Sequence, residues 1–456
     1  MFKKSLFVVV FATGLFITGC DKDSDSGVQT GSSVDVSKIL ELPYSSLTPA
    51  EQKVKLENES IELVEYGNAL KSSSAIEAFQ NLGRLLGENS VSFGSEKIDG
   101  VEKIYQYADF YAVFKWNASK KDWDKTESGS ELKFEFPAKK TASSNNAVFS
   151  VKAESSGVAV TNTYEDWDSD LRKYIEKTET FYLPKSSTGI LTINGKEEGK
   201  IEMSAEYQGS NQAPRKASQS MTLSDGYVFT GNFEKAAENS ISAKLEFKGK
   251  VLFEAAAKSG IKIDEIIDLL VEDDEISNNL YNKANAYIKI LDNVVLVYDI
   301  DIENYVKETN ALDEIDKKRN DLWNKWPAYQ NHYQEIGKLE KEWSDKFAEI
   351  SNKYQTVILA SIEDGAKIAS LSVKSEKDGE YSNYYEWNGS EWREGYYDNQ
   401  QNAWIYPEYT KKYDYYHTVS YLKFNDNTNV DIETYFSDGF TEFVKKWESF
   451  VNSFDR

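Results

Sequence analysis

From about residue 100 to 257 the chain is a succession of short apolar and aromatic runs separated by turn pairs. No other feature limits its fold as tightly. The pairs are Asn194-Gly195, Asp225-Gly226 and Lys248-Gly249. Such pairs reverse the chain within a residue or two and join neighbouring strands as hairpins. Strands joined only by hairpins run antiparallel. Asp225-Gly226 reads as a two-residue turn that places Leu223 opposite Val228. A second strand-rich block follows residue 355. There Asp364-Gly365 joins Thr356–Ile362 to Ala366–Val373, Asn388-Gly389 joins two aromatic strands, and Asn425-Asp426-Asn427 leads into Val430–Ile432.

Helical patterns flank and separate these blocks. Thr48-Pro49-Ala50-Glu51 is a capping box with proline at the first helical position. It opens a helix to about Lys71. Ser74-Ala75-Ile76-Glu77 opens a second, ending near Gly87. Residues 260 to about 285 read as helix, and Tyr287–Asp301 returns to strand with a turn at Asp292-Asn293. From Leu312 to Tyr354 apolar residues recur close to a heptad seam that passes through Pro327 without a phase jump. That spacing predicts one kinked helix or two helices nearly in line. Phe440–Phe454 closes the chain as a helix. The expected class is α+β, with both strand blocks feeding either one extended antiparallel sheet or two.

Composition removes several functional classes. Lys plus Arg number 53 against 76 Asp plus Glu, a net charge of −23. A nucleic-acid binder must neutralise phosphates, and this balance is the reverse. The lone cysteine and two histidines exclude a disulfide scaffold and a thiolate metal cluster. His332 and His417 each stand without a second ligand at metal spacing, so no metal or cofactor is expected. Gly-x-Ser-x-Gly, the P-loop pattern and the dinucleotide fingerprint are absent. Acidic runs such as Glu272-Asp273-Asp274-Glu275 read as solvated surface, and no carboxylate pair is singled out. The expectation is a protein that is not an enzyme.

The N-terminus says where the chain resides. Lys3 and Lys4 precede the apolar run Leu6–Ile17, which is too short to span a bilayer and fits the core of a signal peptide. Ile17-Thr18-Gly19-Cys20 then resembles the lipobox of bacterial lipoproteins. The resemblance implies cleavage before Cys20, lipidation of its thiol and acylation, palmitate included, of the new terminus. Such an anchor of more than one chain holds a protein stably on a membrane. The following Asp21-Lys22-Asp23-Ser24-Asp25 resembles the acidic export signal of Bacteroidota lipoproteins, which implies display on the outer face of the outer membrane. An Asp directly after the cysteine also resembles the inner-membrane retention signal of enterobacteria. The run imitates a calcium loop too, but Ser26 and Ser32 stand where that loop needs Gly and Glu. Residues 1–19 are thus expected as signal peptide and 20–37 as anchor and flexible acidic tether, with a reach of about 20–25 Å. The body divides into N-terminal helices (38–99), an antiparallel β block (100–257), a mainly helical block (258–355) and an aromatic-rich β block with a C-terminal helix (356–456).

The aromatic block holds the candidate binding residues. From Tyr381 to Tyr421, 14 of 41 residues are Tyr or Trp. A two-residue turn at Asn388-Gly389 would set Trp387 opposite Ser390, Glu386 opposite Glu391 and Tyr385 opposite Trp392. Tyr381, Tyr385, Trp387, Trp392 and Tyr396 would then share one face, a platform on which sugar rings can stack. The bland alternative is cross-strand aromatic pairing over the core. Trp116-Asn117-Ala118-Ser119 before Trp123 echoes Trp387-Asn388-Gly389-Ser390 before Trp392. The leading expectation is an envelope lipoprotein that binds an extracellular glycan. The alternatives are a carrier of an apolar ligand on a curved sheet, a layout analogous to periplasmic lipoprotein-carrier folds, and a structural lipoprotein whose long helix meets an unknown protein partner.

Overall fold

The structure, a computed structural model, describes residues 34–70, 72–88, 102–168, 171–208, 212–261, 282–325, 332–383, 386–387, 392–393, 396–405, 411–437 and 445. Helices α1 (Val36–Glu41), α2 (Pro49–Leu70) and α3 (Ser74–Glu88) come first. The strands β1 (Glu102–Tyr105), β2 (Ala112–Asn117), β3 (Asp122–Glu127) and β4 (Leu132–Phe136) are short. Two long strands follow, β5 (Ala147–Asp168) and β6 (Lys173–Ile193). Then come β7 (Lys196–Glu206), β8 (Lys216–Leu223), β9 (Tyr227–Glu234), β10 (Asn239–Phe247), β11 (Lys250–Ser259), β12 (Lys283–Ile290) and β13 (Val294–Asp301). The central helices are α4 (Ile302–Asn310), α5 (Asp313–Trp323) and α6 (Tyr333–Tyr354). Strands β14 (Gln355–Ser361) and β15 (Ala366–Asn383) lead to four short ones: β16 (Glu386–Trp387), β17 (Trp392–Arg393), β18 (Tyr396–Asp398) and β19 (Ala403–Ile405). The described chain ends with β20 (Lys411–Lys423), β21 (Asn429–Asp431) and α7 (Ile432–Ser437).

Seventeen strands form one sheet fed by both strand blocks, which decides between one large sheet and two. From β4 to β15 each strand pairs antiparallel with the next. β20 and β21 extend that edge. At the other edge β2 runs parallel to β4 and antiparallel to β3. β1 lies parallel to β6. β16–β17 and β18–β19 are separate two-stranded ladders.

Turn chemistry explains much of this meander. Asn194 and Gly195 both take positive φ, 53° and 80°, and Ile193 faces Lys196 across them. That is the mirror-image turn whose twist suits a hairpin. The Asp225-Gly226 expectation needs correcting. Ser224 joins the loop, so Thr222 rather than Leu223 faces Val228. A slip of one residue exchanges sheet faces. Here it turns Tyr227 inward, where its hydroxyl donates to the Tyr66 carbonyl at 2.6 Å.

The helices form where the caps place them. Thr48 and Glu51 exchange capping hydrogen bonds: the Glu51 N–H donates to Thr48 Oγ1 at 3.3 Å, and Glu51 Oε2 accepts from the Thr48 N–H at 2.8 Å. α3 is capped one residue earlier than expected, by Ser73 Oγ accepting from the Ile76 N–H. Of the two forms expected over Leu312–Tyr354, one kinked helix or two helices, the described residues form two, α5 and α6. α5 closes with the Asn324 N–H donating to the Asn320 carbonyl at 2.9 Å, three residues short of the proline that would obstruct it. Residues 326–331 lie outside the described set. So do 262–281, most of the helix expected over 260 to about 285, and most of the expected C-terminal helix; the last residues of the former, from Lys283, are strand β12 instead, paired on both sides.

One face of the sheet carries the main core. Ala78, Leu82 and Leu85 of α3 pack with Phe114 of β2, Phe134 of β4, Leu191 of β6, Tyr227 of β9 and Leu252 of β11. These strands lie within a run of nine neighbours, which laid flat would span about 38 Å. A helix is only about 10 Å thick. A twisted sheet of this many strands curls, here around α3 together with Leu63, Tyr66 and Leu70 of α2 in the same cluster, and the helix side is concave. α2 crosses the same face, with Leu56 among Ile368, Leu422 and Phe424. On the convex face α1 seals β12–β14, with Val34 and Ile39 against Tyr287, Val297 and Ile358. Beside that patch a buried Lys289 ammonium meets Glu254 at 3.0 Å and Asp292 at 2.9 Å. Burial pulls its pKa down, but those hydrogen bonds outweigh burial and the net shift is upward. α6 buries Ile336, Ala348 and Ile350. Its Gly337 lies so close to β20 that a Cβ would clash with the Asp414 carbonyl oxygen.

Candidate functional site

The concave face does not stop where the helices stop. Strands β9 to β14 continue past α2 and α3, and there the helix side of the sheet is apolar and open. Two neighbouring runs of rungs define it. One passes Gly231, Ala243, Ala255, Ile288, Leu296 and Leu359. The next passes Phe233, Ile241, Ala257, Ala286, Tyr298 and Val357. Of these positions only Tyr298 carries a polar group.

The local sequence dictates this arrangement. Ser240-Ile241-Ser242-Ala243-Lys244-Leu245 and Asn285-Ala286-Tyr287-Ile288-Lys289-Ile290 alternate strictly, and alternation in a strand separates two faces. The polar set points the other way, through the rung Lys244, Glu254 and Lys289. The small residues of the floor are Ala243, Ala255, Ala257 and Ala286, with Gly231 at one end. Phe233 and Ile241 rise on one side, and Ile288, Leu296 and Tyr298 on the other. Small residues flanked by large ones make a trough, within two runs of rungs that cross six strands over about 24 Å.

Its exposure is unusual for such residues. Ile241 is 45% exposed, Ile288 41% and Leu296 40%. Isolated exposed apolar side chains need no cause, but a contiguous set marks a binding surface. No charge faces the trough from the two runs, so its chemistry is burial of apolar surface. Burial, reinforced by nearby Tyr305, raises the pKa of the Tyr298 phenol, which stays neutral and can donate one hydrogen bond to a ligand's polar end. Among the described residues no His, Cys, Asp and Glu group is arranged to hold a metal ion.

The aromatic residues expected to form one platform are distributed over three ladders. Tyr381 lies on β15 opposite Tyr413. Trp387 lies on β16 opposite Trp392 on β17. Tyr396 lies on β18 opposite Ile405. Tyr385 falls outside the described residues. The expected register is corrected as well: Glu386 faces Arg393, not Glu391. The connection is longer than a two-residue turn, and the new register replaces a repulsive rung by an acid opposite a base. The echoing hairpin behaves alike, with Trp116 opposite Trp123 at a ring-centroid distance of 5.4 Å. There the pair is core, because Trp123 also packs edge-on against Phe134. Cys20 lies outside the described residues. Among those residues no helix is long and apolar enough to cross a membrane.

The trough residues were not picked out from the sequence, although the alternation that makes them is plain in 240–246. Compared with family models, curated proteins and solved structures, the chain matches none.

Proposed function

We propose that this is a lipid-anchored protein of the cell envelope, without enzymatic activity, that holds an apolar ligand on the open part of its concave sheet face. The carrying observation is the uncharged trough between β9 and β14, with Ile241, Ile288 and Leu296 exposed at its walls. The ligand class is an acyl-chain lipid. A flexible chain can lie along a floor of alanine and glycine, and each methylene buried contributes about 0.8 kcal/mol. The lipobox at Ile17–Cys20 supports residence beside a source of such chains, and the acidic run after Cys20 supports display on the outer face.

The test is a titration of the full chain, carrying Cys20→Ser to remove its own acyl groups, with a fluorescent fatty acid. Saturable binding is expected, weakened at least tenfold by Ile288→Asp. Absence of saturation, or binding indifferent to Ile288→Asp, overturns the reading.

A second reading keeps the glycan. It is supported by Trp387 opposite Trp392 in a small ladder apart from the large sheet. A glycan array probed with the protein and its Trp387→Ala/Trp392→Ala variant tests it, and binding lost in a folded variant is the expected result.

A further inference from the structure

The β5–β6 ribbon carries an apolar feature unconnected with the trough. β7 pairs with β6 only from Ser186 onward, and β1 only over Thr178–Phe181. The last rungs, Tyr164–Asp168 against Lys173–Lys177, are paired with each other alone among the described residues. Tyr174 lies 15 residues from Gly189, the position over the α3 core, which is about 50 Å of extended chain. At this far end Trp167 faces Tyr174 across one rung, edge-on at 5.2 Å. Trp167 is 51% exposed, Tyr174 66% and Leu171 60%.

Behind the tip the surface becomes polar at once. Thr161 meets Thr180 at 3.2 Å, and Thr163 meets Thr178 at 3.4 Å. The large apolar groups are thus confined to the end of a narrow ribbon. Charges of both signs surround them: Asp166 pairs with Lys177 at 2.5 Å and Asp168 shares a rung with Lys173, while Glu165 faces Glu176 two rungs behind the aromatic pair. Such a tip carries no excess of positive charge with which to recruit an anionic surface. Trp and Tyr are the side chains that settle at the boundary between hydrocarbon and water, apolar in body and polar at one end.

We propose that the Trp167–Tyr174–Leu171 tip docks into the headgroup boundary of a lipid bilayer. The attraction is burial of the tip, so it needs no anionic lipid and little of it is screened by salt. A tether that holds the chain near a membrane raises the local concentration of that surface and makes a weak contact effective. This inference is independent of the trough.

Flotation with phosphatidylcholine vesicles tests it, using the full chain with Cys20→Ser. The protein is expected to float with the vesicles at low and high salt alike. Trp167→Ser/Tyr174→Ser should reduce partition at least tenfold. Its thermal unfolding should be unchanged, since among the described residues the rung pairs with no third strand. Leu171→Asp is the second variant and should weaken partition in the same direction. Ile288→Asp should float normally, which separates this contact from the trough. Failure to float, flotation abolished by salt, or flotation that the tip variants leave intact overturns the proposal and favours a protein partner for the tip.

Discussion

Leu191 and Ile288 lie on the same face of the same sheet, and their surroundings are opposite. Leu191 is fully buried beneath α3, whereas Ile288 stands open to solvent. Both positions follow the same alternating pattern, and both strands belong to one meander. The difference comes entirely from α2 and α3, which cover one part of the concave face and leave the other. Alternation thus determines which residues face inward. Which of them become core, and which become a binding surface, depends on elements packed from elsewhere in the chain.

The comparison can be broken most directly by truncation on each side. Leu191→Ala should lower stability by about 2–5 kcal/mol, because it opens a cavity in a closed core. Ile288→Ala should cost well under half of that, since little packing is lost at a half-open site. Denaturant unfolding of the two variants measures both. Equal losses would mean that the trough is as closed as the core.

Tyr227 sharpens the covered side. Tyr227→Phe removes its hydrogen bond to the Tyr66 carbonyl and should cost about 1 kcal/mol. Burial, with a smaller contribution from Asp225, pushes the Tyr227 phenol up to about 12. A folded pKa above the unfolded value of about 10 means that this stabilisation is intact below pH 10. It is lost as pH rises through 12. Alkaline unfolding of the protein and the Phe variant should therefore converge in that window.

A comparable effect that fades in acid lies at the end of β13, where the open side meets α4. Asp301 caps that helix by accepting from the Asn304 N–H at 3.1 Å. The Asn304 side chain, then its backbone N–H, hold the Asp301 carboxyl below its usual range. Its contribution is present above the unfolded pKa near 4 and is lost as pH falls through the lower folded value. Asp301→Ala should cost about 1 kcal/mol at neutral pH and progressively less in acid, as thermal melts across pH would show. Ligand binding at neutral pH should be unaffected, because Asp301 is not among the trough positions.

Much of this architecture is legible in the residues, and its gaps have physical causes. Asn194-Gly195 and Gly249 announce hairpins because asparagine and glycine tolerate the positive φ such turns need, which Lys248 also takes here. Asp225-Gly226 announces one too, but whether Ser224 joins the loop is decided by Tyr227 seeking the core. The apolar seam from Leu312 to Tyr354 is real in composition. It is divided between α5 and α6 because a helix seldom continues into the residue before a proline. The alternation of 240–246 is equally plain, yet it does not reveal the trough. Coverage depends on α2 and α3, more than 150 residues earlier, and strand periodicity carries no information about them. The aromatic wealth near Trp387 is the louder signal, and its described residues lie on β15 and on two small ladders.

The central claim is that the open part of the concave face is a ligand site and not unfinished core. Native mass spectrometry of the freshly purified full chain with Cys20→Ser tests it most directly. The account predicts a bound lipid that leaves on activation and is missing from the Ile288→Asp variant. A ligand-free spectrum under gentle conditions, or lipid retained equally by that variant, would contradict it.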